Sequence, residues 1–302
     1  MTPLIFWAFA ALVLAVGIAI GIAIATLGGA ETTTQPGAAP RKRGTALHAE
    51  LRRALEGGAL VLHYQPKIEL GTGRVSCLEA LVRWQHPERG LLTPSEFVPV
   101  VPAEQHSALI RSLTSWVLWR ALADYAAWTT AGHDWTVAVN ISAQDLESSE
   151  FAGTVAQILL ESGVRPDRLH LEVTETALAS RAQRVAPVVG ALAAQGIVMS
   201  IDDFGTGFMS LSQLRTLKVS EVKIARKLIS ALPGDSAMVR SLIDLGSSLG
   251  CLVTAVGVEW QEVADWLLEV GCDHAQGHLW LRARAWPEVA QVFGPAGGQR
   301  QR

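Results

Sequence analysis

Cysteine is scarce and poorly placed for chemistry. The 302 residues carry three, Cys77, Cys251 and Cys272, far apart, in apolar surroundings and without CxxC spacing. That excludes a disulfide scaffold and a thiolate metal site, and an odd number without close pairs fits a reducing compartment. All three read as small buried hydrophobes. A basic surplus is lacking too: the formal net charge is -3 and the pI is near 6.2. Nucleic-acid polymers are held through a concentrated basic face, so none is an expected partner. The histidines are scattered. Only His274 and His278 stand four apart, and Gly277 between them argues against a metal-binding helix face. All eight read as surface or satisfied core residues. Trp116, Trp119 and Trp128 fall at helical spacing and read as core rather than as a stacking platform.

The first thirty residues have no ionisable side chain. From Pro3 to Leu27 they are almost wholly apolar. At about 1.5 Å per residue such a run is roughly 38 Å long, enough for a hydrocarbon core of about 30 Å with some tilt. A secretory signal would carry a basic n-region and a shorter apolar core. Residues 1–30 are therefore expected to be a retained transmembrane anchor, with 4–27 in the bilayer. Arg41, Lys42 and Arg43 follow the span and no Lys or Arg precedes it. The positive-inside rule then places the rest of the chain in the cytoplasm, at the inner membrane. Gly17 and Gly21 form a small-xxx-small pair that suits close packing of two helices in a homodimer. Residues 31–45 are rich in Gly, Pro and Thr and read as a juxtamembrane linker. Residues 46–293 read as one domain, and 294–302, GPAGGQRQR, as a frayed tail.

Within the domain, short apolar runs alternate with segments of helical period. The runs are 60–65, 75–84, 135–142, 168–175, 196–203, 220–225, 251–256 and 274–277. Helical stretches at 107–130, 151–163, 180–194, 236–249 and 260–270 fall between most of them. This spacing indicates parallel βαβ units, and about eight strands in this length point to an α/β fold of the (β/α)₈ TIM-barrel type. Gly250 reads as a helix C-cap.

In a parallel barrel the strand C-termini open on one face, and chemistry collects there. Glu79, Asn140, Glu172, Glu175, Asp202, Asp203, Lys223 and Gln276 lie at or near those ends. Carboxylates sharing one mouth repel each other unless a cation compensates. An all-oxygen donor set, without Cys or His, selects a hard ion such as Mg²⁺ or Mn²⁺. The competing reading is that the acids cap helices and pair with rim Arg or Lys. The segment DDFGTG (202–207) adds two adjacent acids before a Gly-rich turn that allows close approach to a ligand.

Eight motifs together resemble the EAL domain of cyclic-di-GMP phosphodiesterases. They are HYQPKIEL (63–70), EALVRWQHP (79–87), VNIS (139–142), LEVTET (171–176), DDFGTG, VKI (222–224), GVE (257–259) and GCDHAQG (271–277). The resemblance covers roughly residues 50–285. It implies a modified (β/α)₈ barrel that opens one phosphodiester of cyclic-di-GMP to give linear pGpG. It implies Glu79, Asn140, Glu172 and Asp202 as ligands of a first Mg²⁺ or Mn²⁺, with Asp202 and Asp203 serving a second. Lys223 would hold the attacking water or the phosphate, Glu175 would brace the DDFGTG loop, and Glu259 would support the metal site. Gln65, Arg83 and Gln276 would contact the nucleotide, Arg83 at a phosphate or a guanine edge.

The departures from that pattern are as informative. Where the family reads AEGVE this chain reads AVGVE, so Val256 stands where a glutamate acts as general base and metal ligand. The register assumes a three-residue deletion near Pro233–Ser236. Where the family reads KID this chain reads KIA, with Ala225 in place of an aspartate. His278, Ala283 and Ala285 also depart, and extra residues fall around 100–110. Valine has no lone pair and cannot take a proton. The expectation is a membrane-anchored barrel that binds cyclic-di-GMP with little or no hydrolysis. Two alternatives stay open: an active phosphodiesterase in which Glu259 or Glu175 substitutes as base, and a nucleotide-independent scaffold for an unidentified protein partner. No sensor or cyclase domain is legible in the chain.

Overall fold

The computed structural model describes residues 40–98, 103–207 and 209–294. The compact unit runs from Gly44 to Arg302. The apolar stretch 4–27 and the tail from 295 lie outside the described residues. The first described helix, α1 (Pro40–Gly57), begins inside the segment read as a linker.

Among the described residues, nine strands make the sheet: β1 (Leu60–Glu69), β2 (Arg74–His86), β3 (Gly90–Leu92), β4 (Thr136–Asn140), β5 (Leu169–Thr174), β6 (Val198–Phe204), β7 (Glu221–Ile224), β8 (Leu252–Val256) and β9 (His274–Gln276). Their order is β1-β9-β8-β7-β6-β5-β4-β2-β3, and a further β1–β2 pairing closes eight of them into a barrel. The third strand only extends the edge of β2. Outside lie α2 (Ala103–Thr130), α3 (Phe151–Ser162), α4 (Ala182–Ala194), α5 (Ser236–Ser248), α6 (Gln261–Glu269) and α7 (Trp286–Phe293).

One strand departs from the parallel expectation. Strand β1 runs antiparallel to both neighbours, β2 and β9. Its link to β2 is residues 70–73, with Gly73 at φ 69° and its N–H donating to the Glu69 carbonyl at 2.8 Å. A parallel neighbour needs a crossover of a dozen or more residues, so this link can only close a hairpin.

The period-2 alternation divides the strands between two environments. On β5, Leu169, Leu171 and Val173 are buried toward the helices. His170, Glu172 and Thr174 alternate with them and face the barrel axis. The apolar core therefore lies between barrel and helices, filled by residues such as Val137, Val139, Met199, Ile201, Val222 and Ile224, all fully buried. Trp128 is buried with its ring edge-on to Tyr64, as a core residue should be, whereas Trp119 is 40% exposed. The three cysteines are free and buried. Gly250, at φ 73°, ends α5 in the left-handed region as expected. The histidines correct one expectation: among the described residues the Nδ1 atoms of His133 and His274 are buried without a hydrogen-bond partner, and His170 Nδ1 has only Glu221 Oε2 at 3.5 Å.

Candidate active site at the barrel mouth

Closure brings four side chains from alternate strands into one interior layer: Glu79 of β2, Glu172 of β5, Lys223 of β7 and Gln276 of β9. Alternate strands supply each layer of such a barrel because the strands tilt. The layer is bonded across its whole width. Lys223 Nζ donates to Glu79 Oε2 at 3.0 Å and to Glu172 Oε2, and lies 3.8 Å from Asp202 Oδ1. Gln276 Nε2 donates to Glu79 Oε2 at 2.7 Å and to Gln65 Oε1 at 3.3 Å. Asn140 Nδ2 donates to Glu79 Oε1 at 2.7 Å. Of the residues expected at the site, Gln65, Glu79, Asn140, Glu172, Asp202, Lys223 and Gln276 thus form one connected network.

Its electrostatics follow from burial. Glu79, Glu172 and Lys223 are all buried. Burial, with the charges of Glu79, Asp202 and Glu221, pushes the Glu172 carboxyl up to about 8, against the pull of Lys223. Burial also raises Asp202, again against Lys223. Glu79 is lowered, because the Lys223 charge and three hydrogen bonds outweigh its desolvation. Lys223 stays well above its ordinary value: burial opposes its charge, but Asp202, Glu172 and Glu79 restore it.

The donor set suits a hard cation, three carboxylates and an amide oxygen with a net negative charge. Among the described residues, however, no three acidic, His or Cys side chains converge on a vacant point as an ion cage. The carboxylates converge on Lys223 Nζ, which supplies the compensating charge here. An ion entering this set would have to share those oxygens with the ammonium.

The remaining expected residues sit around this network. Asp203 takes φ 54°, an uncommon backbone for a residue with a side chain, and turns the chain toward Gly205 at φ 90°. Glu175 is buried and holds that turn. Its Oε2 accepts from Gly205 N at 2.9 Å, Thr206 N at 3.0 Å and Thr206 Oγ1 at 3.2 Å, and its Oε1 accepts from Met209 N at 2.9 Å. Arg83 is half-buried and donates to the Val82 carbonyl at 2.9 Å. Among the described residues it makes no ion pair. Glu259 is placed differently from the supporting role expected of it: it is partly exposed, 2.8 Å from Arg226 Nη2 and 3.7 Å from His278 Nδ1.

The two departures lie on neighbouring strands. Val256 ends β8, in register with Gln276. Ala225 follows β7, is buried, and begins the short helix Arg226–Ser230 without a side-chain cap. Aspartate at that position would cap the helix.

This geometry matches a known family. The EAL domain profile covers residues 48–283. The chain belongs to the EAL domain family. It is 40% identical over 234 residues to the bifunctional diguanylate cyclase/cyclic di-GMP phosphodiesterase MucR of Pseudomonas aeruginosa, covering 76% of this chain and 34% of that protein. It is 38% identical over 240 residues to the cyclic di-GMP phosphodiesterase NbdA of the same organism, covering 78% of this chain and 30% of the other. The chain thus spans about a third of the length of the curated relatives it matches. Among solved structures, the PaMucR phosphodiesterase in complex with c-di-GMP superposes with a TM-score of 0.75 at 38% identity, covering 81% of this chain and 99% of that one. The EAL domain of Mycobacterium smegmatis DcpA gives 0.65 at 32% identity, covering 78% and 96%.

Three buried interior residues lie outside the site read from the sequence: Lys67, His170 and Glu221. The available signal was alternation, since Glu221 and Lys223 on β7 and His170 and Glu172 on β5 are two apart and share a face.

Proposed function

We propose that this EAL domain is a membrane-anchored receptor for cyclic-di-GMP that binds the dinucleotide at the barrel mouth and hydrolyses it little or not at all. The ligand class is supported by the PaMucR domain, 38% identical and solved with c-di-GMP. The connected network of Gln65, Glu79, Glu172, Lys223 and Gln276 supports a retained pocket.

The observation that carries the loss of hydrolysis is Val256. It stands at the mouth, beside Gln276, where the EAL pattern has its general base. A general base typically contributes about 10²–10⁴ in rate. Neither candidate substitute is free for that work. Among the described residues, Glu175 accepts hydrogen bonds from Gly205, Thr206 and Met209. Glu259 is engaged by Arg226.

Glu79, Asn140, Glu172, Asp202 and Asp203 would hold Mg²⁺ or Mn²⁺. Bound there, the ion would neutralise phosphate charge and polarise a phosphoryl oxygen. Arg83, which makes no ion pair among the described residues, offers its guanidinium to a phosphate or a guanine edge. Gln65 and Gln276 present amides that can orient a base, and Lys223 offers a donor to a phosphate oxygen.

The apolar stretch 4–27 would tether the barrel to the cytoplasmic face of the inner membrane, as a monomer or a dimer. Among the described residues no helix is long and apolar enough to cross a membrane. Washing membranes with carbonate tests the tether: the chain should stay in the pellet, and release by the wash rejects an integral anchor.

The deciding experiment is a calorimetric titration of the chain with cyclic-di-GMP in Mg²⁺ or Mn²⁺, followed by assay of the same mixture for pGpG. Binding without pGpG is the expected result. Metal-dependent pGpG would show that another group replaces the lost glutamate. Absence of binding would leave a nucleotide-independent scaffold.

A further inference from the structure

The barrel interior stays polar below the mouth, where branched aliphatic side chains usually fill such barrels. Beneath the layer of Glu79, Glu172, Lys223 and Gln276 lies one that contains Lys67, Ser200 and Thr254. Beneath that, strand alternation places Cys77, His170, Glu221 and His274. All of these but His274 are buried below a tenth of their surface.

Lys67 stands between the carboxylates of the upper layer and the single carboxylate of Glu221 below. Its Cα is in register with Gln276 of the upper layer across one edge of β1, and with Cys77 of the lowest layer across the other. Its ammonium turns downward, 2.6 Å from Glu221 Oε1. Thr254 Oγ1 donates to the same oxygen, and His170 Nδ1 faces Glu221 Oε2 at 3.5 Å. Burial opposes the charge on Lys67, but the Glu221 carboxylate, 2.6 Å away, holds the ammonium above its ordinary value. The upper layer has its own cation in Lys223, so a second ammonium there would occupy carboxylate oxygens needed by an incoming ion.

We propose that Glu221 is a positioning residue for the metal site: it holds the Lys67 ammonium in the lower barrel and keeps it off Glu172. This rests on the reading that Glu79, Glu172 and Asp202 hold a divalent ion. Neutralising Glu221 leaves Lys67 as a buried cation without its partner, and the carboxylates above become its nearest source of compensation. Lys67 then acts as a tethered competitor of the metal. Removing Lys67 as well removes the competitor. The pair's influence on the metal is thus carried by one charge, and the effect of losing Glu221 is reversible by a second substitution.

The test compares the purified full chain with Glu221→Gln and with the double variant Lys67→Met/Glu221→Gln. Mn²⁺ binding is followed by the loss of the free-ion electron paramagnetic resonance signal, and folding by near-ultraviolet circular dichroism. Glu221→Gln should weaken Mn²⁺ binding by about 10–100-fold, the usual effect of losing a residue that supports metal ligands. The double variant should bind like the unsubstituted chain. Unchanged binding in Glu221→Gln overturns the proposal, as does a double variant that binds as weakly as the single one. Should Glu221→Gln fail to fold, the double variant alone decides, since weakened binding there cannot come from Lys67. A crystal structure of Glu221→Gln gives a readout independent of metal: Lys67 Nζ should lie within hydrogen-bonding distance of Glu172 or Glu79, and an ammonium still in the lower layer rejects the idea. If the unsubstituted chain binds no Mn²⁺, the metal reading fails, while the position of Lys67 still tests this inference.

Discussion

Val256 and Gln276 are register partners across β8 and β9, and Gln276 in turn donates to Glu79 at 2.7 Å. A valine thus borders the acid network at the strand end where a carboxylate would complete it. Val256→Glu should introduce a base and an additional oxygen ligand together. Ala225→Asp should add a second acid nearby and a cap for the helix Arg226–Ser230, worth about 1 kcal/mol. Cyclic-di-GMP turnover should rise from Val256→Glu to the double variant, by about 10²-fold or more over the unsubstituted chain. Chromatography of pGpG checks this. No gain in either variant would contradict the proposal that Val256 and Ala225 limit hydrolysis.

Lys223 spans the barrel to reach Glu79, 144 residues earlier in the chain. Lys223→Met should leave Glu79, Glu172 and Asp202 without their internal cation. Removing one partner of a buried ion pair typically costs about 3–5 kcal/mol. The variant should melt well below the unsubstituted chain in chelator and recover much of the difference in Mn²⁺, which replaces the lost charge. Differential scanning calorimetry with and without Mn²⁺ measures both. Equal metal responses of the two proteins would contradict the shared use of these oxygens.

Much of this site was legible before any coordinates. Glu79, Asn140, Glu172 and Asp202 could be placed because a parallel barrel gathers strand ends, and a period of two says which residues share a face. What escaped were facts of closure. The contact of Lys223 with Glu79 depends on the curvature of strands far apart in the chain. The antiparallel β1 was hidden by an apolar run that reads alike in either direction, although the four residues 70–73 were too few for a crossover. The lower polar layers escaped because β7 has only the four residues EVKI. Its alternation is too short to separate a charged interior from a rim. The supporting role of Glu259 came only from the resemblance of its GVE motif, which says nothing of its pairing with Arg226.

The Glu172 carboxyl, held up to about 8 mainly by burial, would tie the proposed metal binding to pH. Its folded value lies above the ordinary 4.5, so the folded chain binds the proton more tightly than the unfolded chain. The stability it contributes is full below about 4.5 and is lost as pH rises through about 8. In chelator, thermal stability should therefore fall between about pH 4.5 and 8. An ion needs the deprotonated carboxylate, so Mn²⁺ affinity should rise across the same window, with release of up to about one proton per ion. Calorimetry in buffers of different ionisation enthalpy counts that proton. An affinity independent of pH would show that Glu172 is not a ligand.

Glu175 ties the two acids of β6 to a fixed loop. It is buried, and among the described residues its two oxygens accept four hydrogen bonds from Gly205, Thr206 and Met209, just beyond Asp202 and Asp203. Hydrogen bonds to a charged acceptor contribute about 1.5–3 kcal/mol each before neighbours compensate. Glu175→Gln keeps the shape, removes the charge and turns one acceptor into a donor facing an N–H. Amide exchange should accelerate at Gly205, Thr206 and Met209, while amides of β5 and β7 remain protected. Mn²⁺ binding should weaken because Asp203, at φ 54°, depends on this turn for its backbone conformation. Hydrogen exchange by mass spectrometry resolves the two regions. Protection unchanged at residues 205–209 would mean that the loop is held by its own glycine geometry, and that Glu175 has some other use at the mouth.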